Sequence, residues 1–151
     1  MTIKSEIQTP AVAGFPRAGF IQPSRIIIAD SDTAFTASLS NYLVAQPGYE
    51  VVAKVNSCAD ALTWCGELTP DILILDWQLM FESFLPAGVN NVPFLRQLKG
   101  LKIAPSVIIA SRLSLDEHRT TAMQAGADEF MPKSKFPQLI RPIIARLVSQ
   151  N

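Results

Sequence analysis

The chain has 151 residues, enough for one domain and a short extension but not for two full-sized domains. Thirteen Lys plus Arg offset thirteen Asp plus Glu, so a nucleic-acid backbone, whose phosphates are contacted largely by basic side chains, is not the expected direct partner. A hydrophobic content of 48% suffices for a core. No run reaches the roughly 20 apolar residues of a membrane span, and no basic start followed by an apolar stretch marks a signal peptide. The expectation is a globular domain of the cytoplasm without membrane contact.

Residues 1–24 carry Pro10, Pro16, Pro23, Gly14 and Gly19 with no sustained period, and they read as a flexible N-terminal extension. Phe15, Phe20 and Ile21 are its residues able to pack on the domain, which is expected over residues 25–151. The first apolar run is Ile26-Ile27-Ile28-Ala29, followed by Asp30, Ser31 and Asp32. Phe35, Leu39, Tyr42 and Leu43 then mark one face of a first helix that must stop by Gln46, ahead of Pro47-Gly48. Val51–Val55 is a second apolar run. Ser57 with Asp60 opens a second helix (Ala61, Leu62, Cys65, Leu68), which Thr69-Pro70 closes. Ile72–Leu75 is a third run, ending at Asp76.

Asn91 precedes a third predicted helix, with Pro93 near its first turn and Phe94, Leu95 and Leu98 on its apolar face. Val107–Ala110 is a fourth run, ending at Ser111. Ser114 with Glu117 is a capping-box pattern for a fourth helix that Gly126 ends. Phe130-Met131 is a short fifth run just before Lys133. Pro137 starts a fifth helix carrying Leu139, Ile140, Ile143, Ile144 and Leu147, which Pro142 is expected to kink or interrupt. Runs apolar at successive positions, alternating with helices, predict an α/β fold with a parallel sheet covered on both faces.

Ligands of such sheets bind beyond the carboxyl ends of the strands, which singles out Asp30, Ser31, Asp32, Asp76, Ser111 and Lys133. Carboxylates gathered at one edge call for a cation, and an all-oxygen set suits Mg²⁺. A hydroxyl and a lone ammonium beside them suit the oxygens of a phosphoryl group, and a carboxylate can itself be the nucleophile. Asp32 alone reads more simply as a helix cap. Cys58 and Cys65, seven apart on the second helix, stand about 10 Å apart, too far for a disulfide. With one His in the chain they do not suggest zinc either, and they read as small buried hydrophobes. That histidine, His118, reads as a solvated surface residue.

The segments IIIADSD, PDILILDWQLM, PSVIIAS and AGADEFMPKS, in this order, resemble a response-regulator receiver domain over residues 25–147. The resemblance implies a single-domain receiver of the chemotaxis type, with a three-layer, flavodoxin-like sheet of strand order 2-1-3-4-5. It implies Asp76 as phosphoacceptor, Ser111 and Lys133 on the phosphoryl oxygens and Phe130 as the switch aromatic. Gln78 and Leu113 would tune dephosphorylation. Asp30, Asp76, the Gln78 carbonyl and either Ser31 or Asp32 would hold Mg²⁺. The donor would be a histidine kinase or histidine phosphotransfer protein. The face of the fourth helix, fifth strand and fifth helix would meet a downstream partner or form a homodimer. With one helix after Lys133, output would pass through a partner protein.

Three departures stand out. Ser31 replaces the family's second acid, so weak Mg²⁺ binding is expected. The loop 80–91 is longer than usual and carries Phe81, Phe84 and Leu85, as a lid or as core. Ser134 replaces the family's frequent Pro after the lysine, so no cis peptide is expected there. Two rivals remain: a degenerate receiver that binds partners without phosphorylation, and a haloacid-dehalogenase-type phosphatase with Asp30 as nucleophile, which IIIADSDT also resembles.

Overall fold

The computed structural model describes residues 22–82 and 94–150. The β-branched run at Ile26–Ile28 forms part of β1 (Ser24–Ala29), and the other apolar runs form β2 (Tyr49–Val55), β3 (Ile72–Asp76), β4 (Ser106–Ser111) and β5 (Glu129–Pro132). All pairings are parallel, in the order β2-β1-β3-β4-β5. This is the three-layer, flavodoxin-like α/β architecture expected. Residues 1–21, including the proposed packing residues Phe15, Phe20 and Ile21, lie outside the described residues, as do Phe84, Leu85, Asn91 and Pro93.

Successive strand residues face opposite layers, which is why the runs are apolar without alternation. On one side Ile27, Leu73, Leu75, Val107 and Ile109 pack with α2 (Cys58–Leu68), α4 (Phe94–Lys99) and α5 (Asp116–Ala125). On the other, Ile26, Ile28, Ile72, Ile74 and Ile108 pack with α1 (Thr33–Val44) and α6 (Phe136–Ser149). No helix among the described residues is long and apolar enough to cross a membrane.

Local chemistry explains the starts of α1 and α2. Asp32 caps α1 by accepting from Phe35 N–H at 3.0 Å, and Ser57 caps α2 by accepting from Asp60 N–H at 3.1 Å. Thr69 ends α2 in the left-handed region at φ 45°, a strained conformation for a β-branched residue. Thr69→Gly is therefore expected to raise the unfolding free energy by about 0.5–1 kcal/mol. Urea denaturation checks this, and an unchanged or lower midpoint would contradict it.

Three expectations need correction. The capping box at Ser114 and Glu117 does not form: Leu115 is the N-cap of α5 and makes no side-chain capping bond, leaving Ser114 in the exposed loop. Pro142 does not interrupt α6, which runs from Phe136 to Ser149. Its missing N–H falls on the exposed side, while Ile140, Ile143, Ile144 and Leu147 hold the opposite stripe against the sheet. Finally, the loop expected over residues 80–91 does not begin at Met80, which is still helical. A short helix, α3 (Trp77–Glu82), follows β3 at once, with Leu79 N–H donating to Asp76 Oδ2 at 3.3 Å. The described peptide bonds are all trans, including the one after Lys133.

Candidate active site

Strand register builds the site. Ala29 is level with Leu75, so Asp30 and Asp76 end the two neighbouring strands that flank the switch in strand order. Asp76 is level with Ala110, one residue before Ser111, and Ser111 is level with Pro132, one residue before Lys133. The four side chains meet at one edge, and their residues are no more than 7% exposed.

Lys133 Nζ bridges the two carboxylates, 2.7 Å from Asp30 Oδ2 and 2.8 Å from Asp76 Oδ1, and lies 4.6 Å from the centroid of the Phe35 ring. Asp30 Oδ1 accepts from Asp32 N–H at 2.9 Å. Burial raises the Asp30 carboxyl above its ordinary value; Lys133 and the Asp32 amide oppose this, and the Asp76 charge adds to it. Burial acts against the Lys133 ammonium, but Asp30 and Asp76 outweigh it and hold the lysine above its ordinary value. The three groups thus form a buried ion-pair triad centred on Lys133.

These groups line a cleft of about 540 Å³ that Trp77, Gln78 and His118 also line. Ser31 and Asp32 also line it; Ser31 is exposed, and Asp32 caps α1 through Oδ1, the Phe35 N–H bond lowering its carboxyl. Gln78 is exposed and donates to Glu82 Oε2 at 3.1 Å; Leu113 is 54% exposed. Phe130 is buried, with the Arg119 guanidinium 5.2 Å from its ring centroid. Cys58 and Cys65 are both free thiols, pushed up to about 11 by burial, and Cys58 Sγ donates to the Leu79 carbonyl.

His118 is not a solvated surface residue. Its Nδ1 lies 3.2 Å from Ser111 Oγ, and its ring stacks on Trp77 at a centroid distance of 4.0 Å and 14° between planes. Trp77 in turn stacks on Phe81 at 5.8 Å, so Phe81 joins the cleft wall and not the core. Nothing in the local sequence signals these contacts. A histidine in the first turn of a polar helix start looks solvated until the β4–α5 connection folds it back onto Trp77 at the start of α3.

The family model of the response regulator receiver domain matches residues 26–144. The chain belongs to the response regulator receiver domain family. This receiver is 33% identical over 115 residues to protein-glutamate methylesterase/protein-glutamine glutaminase 5 of Myxococcus xanthus, covering 75% of the chain and 31% of that protein. It is 30% identical over 123 residues to the transcriptional regulatory protein PrrA of Mycobacterium bovis, covering 82% of the chain and 48% of that protein. The receiver thus spans less than half the length of these two relatives. Among solved structures, the response regulator domain of Thermotoga maritima CheB shares its fold at TM-score 0.64 and 21% identity, covering 83% of this chain and 94% of that one. A CheY-like receiver domain protein of Methanospirillum hungatei does so at TM-score 0.63 and 19% identity, covering 86% and 100%.

Proposed function

We propose that this receiver accepts a phosphoryl group on Asp76 from the phosphohistidine of a histidine kinase or histidine phosphotransfer protein. The supporting observation is the Lys133 ammonium clamped between Asp30 and Asp76 in the cleft that Ser111 also lines. A carboxylate oxygen of Asp76 attacks phosphorus in line, the P–N bond breaks, and the donor imidazole leaves with its electron pair. Lys133 supplies a fixed positive charge and Ser111 a hydrogen-bond donor to the phosphoryl oxygens. The relatives' methylesterase, glutaminase and transcriptional activities belong to proteins with additional length, and here the receiver is read as a regulator without an activity beyond its own phosphorylation and dephosphorylation.

The oxygen donors fit a magnesium ion. Asp30 and Asp76 would hold it, whereas the Gln78 carbonyl expected as a third ligand lies within α3 and belongs to the helix ladder, and the burial that raises the Asp30 carboxyl is the electrostatic demand a cation meets. Bound there, magnesium would neutralise charge on the transferring group. Ser31 offers a hydroxyl at the position where the family's second acid is expected, so binding would be weak. In a Trp64→Phe background, Trp77 fluorescence should respond to magnesium and then to beryllofluoride. Ser31→Asp should tighten the magnesium midpoint several-fold. An unchanged midpoint would contradict this account of the site, and no response to either probe would favour a receiver that binds partners without phosphorylation.

Phosphorylation would draw Ser111 toward Asp76 and free space for Phe130, a two-state shift biased by local charge. The surface it would alter is that of α5, β5 and α6, where Glu129 pairs with Arg119 and Arg146 and Met123 is 40% exposed. A downstream protein or a second copy of the receiver would bind there.

A further inference from the structure

The Ser111 hydroxyl carries one proton, and with the residue 1% exposed that proton must find an acceptor within the protein. Leu113 N–H, 3.1 Å from Oγ, donates and so occupies an oxygen lone pair. Among the described residues the acceptor in reach is His118 Nδ1 at 3.2 Å. A neutral imidazole has one N–H and one bare nitrogen, so accepting at Nδ1 places its proton on Nε2.

A phosphoryl group on Asp76 reverses the demand. Its oxygens accept only, so Ser111 must turn its single proton toward them. Nδ1 would then face an oxygen lone pair, an opposition relieved when the ring carries its proton on Nδ1 and donates to Oγ. The ring is not free to swing aside, because it lies flat on Trp77, the residue next to Asp76.

We infer that His118 is a positioning residue of the phosphoacceptor site. It holds the Ser111 proton in the unphosphorylated protein and releases it to an anion on Asp76 by exchanging its own Nε2 proton for one on Nδ1. Water takes up the Nε2 proton and supplies one to Nδ1, so the charge of the half-buried ring does not change. This inference rests on the phosphoacceptor reading of Asp76.

The chain has one histidine, so a long-range proton–nitrogen NMR spectrum of the uniformly ¹⁵N-labelled full chain reports this ring alone. At about pH 8 and in excess magnesium, the ring should be the Nε2–H tautomer. Saturation with beryllofluoride should convert it to Nδ1–H. The same tautomer in both states, with Trp77 fluorescence reporting binding, would overturn the inference while sparing the phosphoacceptor reading. No fluorescence or backbone shift response to beryllofluoride would overturn both.

Discussion

Lys133→Met is expected to lower the free energy of unfolding by about 3 kcal/mol at neutral pH, the cost of leaving buried charge without its partner. The methionine would fill the lysine's volume, so the loss reports on Asp30 and Asp76 rather than on a cavity. The pH dependence distinguishes this from a packing defect. Burial already raises the Asp30 carboxyl above its unfolded value of 3.8, and Lys133 opposes that shift. Without Lys133 the folded carboxyl rises further and takes up a proton before the unfolded chain does. The variant should therefore regain stability as pH falls from 7 toward about 5, more than the wild type does. At the alkaline end the order reverses. The wild-type ammonium is raised above 10.5, so its contribution is complete below that pH and is lost as pH climbs through the folded value, whereas the variant has no such loss. Urea denaturation across this range checks both limbs. Equal stability of the two proteins at pH 7, or parallel pH profiles, would contradict the charged triad.

The layers of the fold were legible because the cores of β1, β3 and β4 are buried on both faces, so Ile26–Ile28, Ile72–Leu75 and Val107–Ala110 read as central strands. The convergence of Asp30, Asp76, Ser111 and Lys133 was legible for the same reason: each sits at or just past a strand end, where register alone brings residues together. What escaped depends on contacts without a sequence period. The helix at Trp77–Glu82 is too short to show one, although Asp76 three residues before Leu79 has the spacing of a cap. Ser114 and Glu117 have capping-box spacing, yet the chain enters α5 one residue later and neither side chain caps it. His118 reaches Ser111 across a connection and is held by an aromatic ring from another element, a relation visible only in three dimensions.

The central claim is that Asp76, not Asp30, carries the phosphoryl group. The two carboxylates are both buried, both bonded to Lys133 and close enough to share one ammonium, so burial alone does not separate them. Their surroundings do. Asp76 ends β3, next to the β4 end that carries Ser111, the hydroxyl that would meet a phosphoryl oxygen, whereas Asp30 follows β1, one strand further away, beside the capped start of α1. The direct measurement is incubation of wild type, Asp76→Ala and Asp30→Ala with a radiolabelled small-molecule phosphodonor and magnesium, followed by quantitation of acid-stable, base-labile label. Wild type should be labelled, Asp76→Ala should carry none, and Asp30→Ala should remain labelled at a reduced rate. Label that survives in Asp76→Ala and vanishes in Asp30→Ala would contradict the assignment and make Asp30 the nucleophile.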